Sequence, residues 1–156
     1  MMLGTGETSF SPETKLTRGM AVTILHRLEK EPAAAPNPFT DVADSAYYNE
    51  AIAWGAENGI VNGFGNNIFR PDSSITREEF AAILCRYAQY KGMEDSGSGD
   101  LSAFTDGDKV GSWAVEYMRW AVGNRVINGN GDGTLRPAGT ATRAEAAQML
   151  KNMLAK

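Results

Sequence analysis

The sequence has few of the residues on which redox, metal and nucleic-acid chemistry depend. Its 156 residues include one cysteine and one histidine, which excludes an internal disulfide framework and any metal site built from several cysteines. Lysine and arginine number 15 against 19 acidic residues, so no broad positive field attracts nucleic acid. No apolar run approaches the roughly 18 residues of a spanning helix, so membrane insertion is not expected.

What the sequence does contain is an internal repeat. Two long copies superpose at a spacing of 66 residues, which places Trp54 on Trp120 and Glu79 on Glu145. Further matches are Asn62-Gly63 with Asn128-Gly129, Gly65 with Gly131, Arg70-Pro71 with Arg136-Pro137, and Thr76-Arg77 with Thr142-Arg143. Phe-Thr-Asp opens both copies, at residues 39–41 and 104–106. Such a period predicts stacked or ring-like units that cannot bury their apolar faces alone.

A third, shorter copy precedes these two at a spacing of 59 residues, where Phe69 falls on Phe10 and Arg77 on Arg18. Its Phe-Thr-Asp opening and tryptophan helix are missing, so we interpret it as a truncated first repeat and Met1 as an artificial start. The predicted units are residues 1–30, 39–92 and 104–156. Exposed linkers rich in alanine, proline, serine and glycine are expected at 31–38 and 93–103.

Each full repeat has the pattern of a helix, a turn-rich loop and a second helix. The first helices are predicted at about 47–58 and 113–124, and the second at about 76–90 and 142–154. Apolar residues recur at helical spacing in all three second helices, so their faces should meet in one shared core. The predicted fold class is mainly α.

The start of each second helix carries an arginine that capping does not explain. Thr76 with Glu79, and Thr142 with Glu145, form capping boxes. The adjacent arginine opposes the helix dipole, at a cost of about 0.3–1 kcal/mol. The three arginines are Arg18, Arg77 and Arg143. One hypothesis is that each forms a carboxylate pocket with the free helix amides; a solvated surface arginine is the alternative.

These motifs together resemble S-layer homology repeats: Phe-Thr-Asp, a tryptophan helix, Asn-Gly-x-Gly, Arg-Pro and Thr-Arg-x-Glu. The resemblance covers nearly the whole chain. It implies a pseudo-threefold spindle of helices, whose grooves between repeats bind secondary cell-wall polysaccharide through a terminal pyruvylated amino sugar. It implies binding roles for Arg77 and Arg143, and a weaker one for Arg18, whose motif has Met20 in place of glutamate.

Six further residues are weaker ligand-binding candidates. Trp54 and Trp120 could offer a ring face to a sugar, with core packing as the alternative. Four glycines could bring backbone amides close to a ligand, with plain turns as the alternative: Gly63, Gly65, Gly129 and Gly131.

Metal binding and catalysis are not predicted, and no cofactor is expected. Residues 128–133 begin like a calcium-binding EF-hand loop, but Gly139 stands where that loop needs a glutamate. His26 falls opposite Cys85 and Lys151 in the repeat, which predicts a solvent-facing position. Since it also has no repeated acid partner, a nucleophile–base pair is not expected.

The expected function is therefore non-catalytic anchoring of a surface protein at the bacterial cell wall. The location is extracellular, with the export signal on a part of the natural protein that this chain does not include. An assembly module of a surface layer, or attachment to peptidoglycan, are the alternatives. Alanine in place of either Arg77 or Arg143 should weaken binding and leave the melting temperature nearly unchanged.

The truncated repeat also predicts self-association. Without a tryptophan helix of its own repeat, the first copy should leave one apolar helix face open, formed by Ala21, Ile24, Leu25 and Leu28. Exposed apolar faces favour association, so a homodimer is expected.

Overall fold

The computed structural model describes residues 14–93, 95, 97–128 and 133–155. Within these ranges the chain forms five α-helices: α1 (Arg18–Leu28), α2 (Asn49–Glu57), α3 (Arg77–Lys91), α4 (Val115–Gly123) and α5 (Arg143–Leu154). Short 3₁₀ turns at Leu101–Ala103, Gly107–Lys109 and Ser112–Ala114 lead into α4. The mainly α class is confirmed, whereas the spindle as a whole stays a prediction. None of the helices described is long and apolar enough to cross a bilayer.

Three short segments, one from each repeat, pair where α1, α3 and α5 begin. The Leu16 amide donates to the Ala141 carbonyl at 2.9 Å, the Ile75 amide donates to Leu16 at 2.8 Å, and the Ala141 amide donates to Ile75 at 2.9 Å. Each segment thus donates to one neighbour and accepts from the other. The three bonds close a ring, and all three side chains are fully buried inside it.

The capping residues predicted from the sequence start these helices. Thr76 and Glu79 form a complete capping box at α3, and Thr142 and Glu145 form the same box at α5. At α1 the hydroxyl of Thr17 accepts from the Met20 amide, and methionine cannot return the second bond. The capping box is therefore incomplete at α1, the helix whose motif has methionine in place of glutamate.

The loop between the two helices of a repeat is held by the aspartate of Phe-Thr-Asp. Both oxygens of Asp41 accept backbone amides, from Phe69 at 2.9 Å and Arg70 at 2.7 Å. Asp106 does the same for Leu135 and Arg136. Arg70 and Arg136 have φ of 60° and 51°, a left-handed conformation that is costly for residues with a side chain. The aspartate stabilises that conformation and so fixes the carbonyl just before it.

Helices pack between repeats: α1 lies against α2, and α3 lies against α4. Gly19 allows this approach, because a Cβ there would lie 2.7 Å from the Tyr48 ring. His26 and Cys85, on the same face of their helices, are only 4% and 5% exposed. The solvent-facing position predicted for His26 is therefore wrong. Only Lys151, at the same register in α5, is exposed, because α1 and α3 are covered by a following helix.

The apolar face expected to be open on α1 is closed. Ala21 and Leu25 are 0% exposed, Ile24 is 7% exposed and Leu28 is half-buried. The uncovered face belongs to α5, where Ala144, Gln148 and Lys151 are exposed at the register of Gly19, Thr23 and His26. The physical reason given for a homodimer is thus absent, and the homodimer itself stays an untested prediction.

Candidate ligand grooves between repeats

The three arginines of the Thr-Arg motif are buried. Arg18, Arg77 and Arg143 are 6%, 5% and 4% exposed. Nε of Arg18 donates to the Phe69 carbonyl at 2.9 Å, and Nε of Arg77 donates to the Leu135 carbonyl at 2.8 Å. These are the carbonyls that Asp41 and Asp106 fix in place. The solvated-surface alternative is therefore wrong for these arginines.

Each of the first two arginines also binds the capping glutamate of the following repeat. Glu79 accepts from the Thr76 amide with Oε1, at 2.8 Å, and from Nη1 of Arg18 with Oε2, at 3.1 Å. Glu145 accepts from the Thr142 amide at 2.9 Å and from Nη1 of Arg77 at 3.0 Å. One carboxylate thus caps its own helix and holds the neighbouring repeat. The arginine that capping left unexplained joins two repeats.

Burial sets the electrostatics of these pairs. Burial lowers the pKa of Arg18 and of Arg77, while the paired glutamate opposes the shift, and both stay charged. For Glu145, burial acts to raise the pKa. The hydrogen bond from the Thr142 backbone and the charge of Arg77 outweigh it, so the pKa of this carboxyl lies below its usual value.

Arg143 has different surroundings. Its amide donates to the Thr14 carbonyl at 2.9 Å, which ties α5 to the first repeat. Met20 stands at the register of Glu79 and Glu145. The loop that would line a groove here precedes residue 14 and lies outside the described residues.

Two equivalent grooves follow from the arginine–glutamate pairs. The Arg18 groove has a volume of about 320 Å³ and is lined by Arg18, Asn62, Phe64, Glu79, Arg86 and Trp113, among others. The Arg77 groove has a volume of about 170 Å³ and is lined by Arg77, Ile127, Asn128, Glu145, Gln148 and Asn152, among others. The repeat spacing places Asn62 on Asn128 and Glu79 on Glu145, so the two grooves share one plan.

Two substitutions between the copies narrow the Arg77 groove, whose described lining also has no counterpart of Trp113. Gln148 stands at the register of Ala82, and Asn152 at the register of Arg86. The Gln148 amide donates to the Asn152 side chain at 2.8 Å, and the Asn152 amide donates to the Val126 carbonyl at 3.1 Å. These polar groups therefore bind each other and the backbone. In the Arg18 groove, alanine leaves the same space open.

The Arg18 groove also has an aromatic and cationic wall. Arg86 donates to the Tyr117 hydroxyl through Nη2 at 3.0 Å, and its guanidinium lies 4.7 Å from the Tyr117 ring centroid. Trp113 packs against Tyr117 at 6.4 Å between centroids, and its side chain is 52% exposed. On the opposite side the guanidinium of Arg18 lies 4.4 Å from the Phe64 ring.

The structure places the other predicted site residues in different environments. Trp54 and Trp120 are 1% and 8% exposed and belong to the core, so neither offers a ring face to a sugar. The Trp54 ring lies between His26 and Tyr90, at 5.3 and 5.8 Å. The glycines divide as follows: Gly63 lines the Arg18 groove, Gly65 turns the same loop with φ of 92°, and Gly129 and Gly131 lie outside the described residues.

Gly63 has a steric reason to be glycine. A Cβ there would lie 2.5 Å from the Ile68 carbonyl and 2.6 Å from the Phe39 ring. Any other residue would push the loop out of its position along the groove.

Sequence reasoning missed Trp113, Arg86 and Phe64. Trp113 aligns with Tyr47, and the two rings are 52% and 62% exposed just before the first helices. An aromatic residue repeated outside the apolar stripe was the available signal. Phe64 had no such signal, because its counterpart in the other long copy is Asn130.

The calcium-like segment lies largely outside the described residues. Across the part of the chain that is described, no group of three or more histidine, cysteine or acidic side chains is placed to hold a metal ion.

Comparison with known proteins identifies the family. The sequence profile of the S-layer homology domain matches residues 38–81 and 103–147, which together exceed half of the chain. The chain belongs to the S-layer homology domain family. The resemblance drawn from the repeated motifs is thus confirmed. The pair of Arg77 and Glu145 joins the two matched segments, whereas Arg18 lies before the first of them.

Three related proteins contain segments similar to this chain. The chain is 38% identical, over 92% of its length, to a Surface-layer 125 kDa protein of Lysinibacillus sphaericus. It is 31% identical over 93% of its length to a Cellulosome-anchoring protein of Acetivibrio thermocellus, and 34% identical over 98% to an Exoglucanase XynX of the same species. It spans 12%, 33% and 14% of those proteins, respectively.

Proposed function

We propose that the chain anchors a surface protein non-covalently to the bacterial cell wall by binding secondary cell-wall polysaccharide in the grooves between its repeats. The observation that carries this proposal is the pair of equivalent grooves, each built on a buried arginine–glutamate bond and open to solvent beside it. The names of the relatives, a surface-layer protein and a cellulosome-anchoring protein, agree with a place at the cell surface.

The ligand is proposed to be an acidic sugar, a pyruvylated amino sugar. The net charge of the chain is −4, so an anion must be held by local geometry and not by an overall field. In the Arg18 groove the charges of Arg18 and Glu79 offset each other, and Arg86 adds one positive charge. A groove of about 320 Å³ is in the size range of small-ligand sites.

Co-sedimentation tests the anchoring role. The purified chain is mixed with walls of Lysinibacillus sphaericus, either intact or stripped chemically of secondary polymer, and the pelleted fraction is measured. We expect the chain to pellet with intact walls and to stay in solution with stripped walls. Equal pelleting with both would favour peptidoglycan. No pelleting with either wall, together with self-assembly of the chain, would favour the assembly module and overturn anchoring.

A second comparison tests the acidic group. Calorimetry with isolated wall polysaccharide before and after removal of its pyruvate should show binding only before removal. Undiminished binding to the depyruvylated polymer would remove the carboxylate from the proposal and leave anchoring intact.

A further inference from the structure

The two described grooves differ in charge and in accessible polar groups, although they share one plan. The Arg77 groove has Asn152 where the Arg18 groove has Arg86, and Gln148 where it has Ala82. Asn152 and Gln148 bind each other at 2.8 Å, so the Arg77 groove presents a neutral, self-satisfied wall. This difference separates the grooves by one full charge beside the arginine–glutamate pair.

The guanidinium of Arg86 is positioned by hydrogen bonds at the wall of the Arg18 groove, where an anion can reach it. Tyr117, on α4 of the next repeat, accepts from Nε and Nη2 of Arg86 at 3.3 and 3.0 Å. These bonds fix the guanidinium through a neutral hydroxyl, so its charge is not cancelled there. Glu79, the carboxylate among the described lining residues of this groove, is already bound to Arg18 and to the Thr76 amide. A fixed guanidinium facing a groove is well suited to a carboxylate.

Trp113 supplies a flat apolar surface next to that charge. Its ring is 52% exposed and lines the same groove as Arg86. Tyr117 contacts both side chains, so the indole and the guanidinium keep a fixed relation. A sugar ring carrying a carboxylate has the two features that this pair matches: a C–H face for the indole and a negative charge for Arg86.

We propose that Arg86 and Trp113 make the Arg18 groove the acidic-sugar subsite of this chain, with Arg86 as the specificity-determining residue and the Arg77 groove as a weaker site. The inference rests on the proposed function and names the residues that would select the charged sugar. It moves recognition of the charge away from Arg18, whose guanidinium is bound to Phe69 and Glu79.

The test follows the indole N–H signal of Trp113 by NMR during titration with the methyl glycoside of a pyruvylated N-acetylhexosamine. Trp54 and Trp120 are buried, so the exposed indole reports the Arg18 groove. Arg86→Asn gives this groove the residue of its counterpart and should raise Kd about 10- to 100-fold, the range for one charge-assisted hydrogen bond. The methyl ester of the same sugar should bind the parent chain and Arg86→Asn with equally low affinity.

A matched variant should gain affinity where Arg86→Asn loses it. This is the double variant Gln148→Ala with Asn152→Arg, which gives the Arg77 groove the alanine and arginine of the Arg18 groove. The described lining of the Arg77 groove has no counterpart of Tyr117 or Trp113, so the added arginine should strengthen binding there by less than Arg86 contributes in the Arg18 groove. Shifts of the Asn128 side-chain amide report this binding. Arg119→Asn removes an exposed arginine that lies outside both grooves and should leave affinity unchanged, which controls for net charge.

The outcomes separate this inference from the anchoring role. Equal affinity of Arg86→Asn and the parent chain for the acidic sugar would overturn the role of Arg86. So would a parent chain that pellets with intact walls without any shift of the Trp113 signal. A chain that does not pellet with walls at all would instead overturn the proposed function.

Discussion

At the residue scale, the arginine of the Thr-Arg motif is placed where its own helix disfavours it. A cation in the first turn costs about 0.3–1 kcal/mol. The side chain of Arg77 offsets this cost because it extends away from α3. Its guanidinium binds the Leu135 carbonyl and Glu145 of the next repeat. Hydrogen bonds to a charged group contribute about 1.5–3 kcal/mol, which exceeds the dipole cost. The repeated arginine is thus explained by contact between repeats before any ligand is considered.

The same contacts change the expected effect of removing Arg77. Arg77→Ala should lower the free energy of unfolding by about 2–4 kcal/mol, because it removes the side-chain donor of the Leu135 carbonyl and the charged partner of the partly buried Glu145. The nearly unchanged melting temperature expected from the sequence does not follow from this geometry. Urea unfolding measures the change. Arg119→Ala, which removes an exposed arginine paired with Glu116, should shift stability by less than about 0.5 kcal/mol.

Equal stability of the two variants would contradict the structural role of Arg77. The expected loss of stability also affects how binding by Arg77→Ala is interpreted. A loss of binding in Arg77→Ala carries meaning only at temperatures where the variant is shown to be folded.

The lowered pKa of Glu145 predicts that the folded chain loses stability in acid. Its pKa is lower in the folded chain than its ordinary value, so the unfolded chain binds the proton more readily. Its contribution is fully present above the unfolded value of about 4.3 and is lost as the pH falls through the lower folded value. Unfolding free energy measured between pH 7 and pH 3 should fall most steeply below about pH 4.3.

Glu145→Gln is the control for that acid profile. Glutamine keeps an oxygen for the Thr142 amide but cannot titrate, so the variant should be less stable at pH 7 and should lose less stability on acidification. An acid profile parallel to that of the parent chain would assign the decline to other carboxyls, such as Glu29, whose pKa is also lowered, in its case by Tyr87 and Lys91 against the opposing effect of burial.

At the element scale, the first helices of the two long repeats end in the same conformation with different residues. After α2 the chain turns through Gly59 with φ of 71°, and after α4 through Arg125 with φ of 60°. Glycine accepts this left-handed geometry without a steric cost, whereas a residue with a Cβ does not. Arg125 is exposed, so its side chain contributes little packing in return.

Arg125→Gly should therefore stabilise the chain by about 0.5–1 kcal/mol, by removing the left-handed strain at the end of α4. Gly59→Arg is the matched opposite and should destabilise by about 1 kcal/mol. No atom lies within 4 Å of a Cβ built at Gly59, so that loss would come from the backbone and not from a clash. Chemical denaturation of both variants measures the effect, and a destabilised Arg125→Gly would contradict this account.

The helices and caps were predictable from the sequence because their signals are local. Thr76 and Glu79 are three residues apart and form the predicted box, and α3 begins at the next residue, Arg77. The direction of the Arg77 side chain was not predictable, because its partner Glu145 lies 68 residues away along the chain. Trp54 and Trp113 show the same limit. Packing between helices, which no local pattern encodes, buries the first and leaves the second exposed in the groove.

At the scale of the whole molecule, the repeats are closed on one another. The hydrogen bonds of Leu16, Ile75 and Ala141 run around a ring, so the last repeat donates to the second and accepts from the first. A linear array of repeats has free ends that can unfold separately, but a closed ring does not. The arginine–glutamate pairs lie beside this ring and join the first repeat to the second and the second to the third.

This closure also determines where the chain could associate. The buried apolar residues of α1 lie against α2 and those of α3 against α4, whereas the corresponding face of α5 is exposed in the part of the chain that the structure describes. That face carries Gln148 and Lys151, whose polar groups favour water. A polar face gives little reason for a second chain to bind. We therefore expect a monomer, in place of the homodimer that the truncated repeat suggested.

Sedimentation velocity over a hundredfold dilution, starting from about 100 µM, tests this expectation and should give one constant monomeric mass. The double variant Gln148→Leu with Lys151→Leu supplies the positive control. It adds two apolar side chains to a face that already has Ala144 and the 38%-exposed Leu154, and should therefore cause concentration-dependent association. A parent chain whose mass doubles with concentration would show that an interface exists elsewhere. Because Ala21 and Leu25 are fully buried, that interface would not be the α1 face.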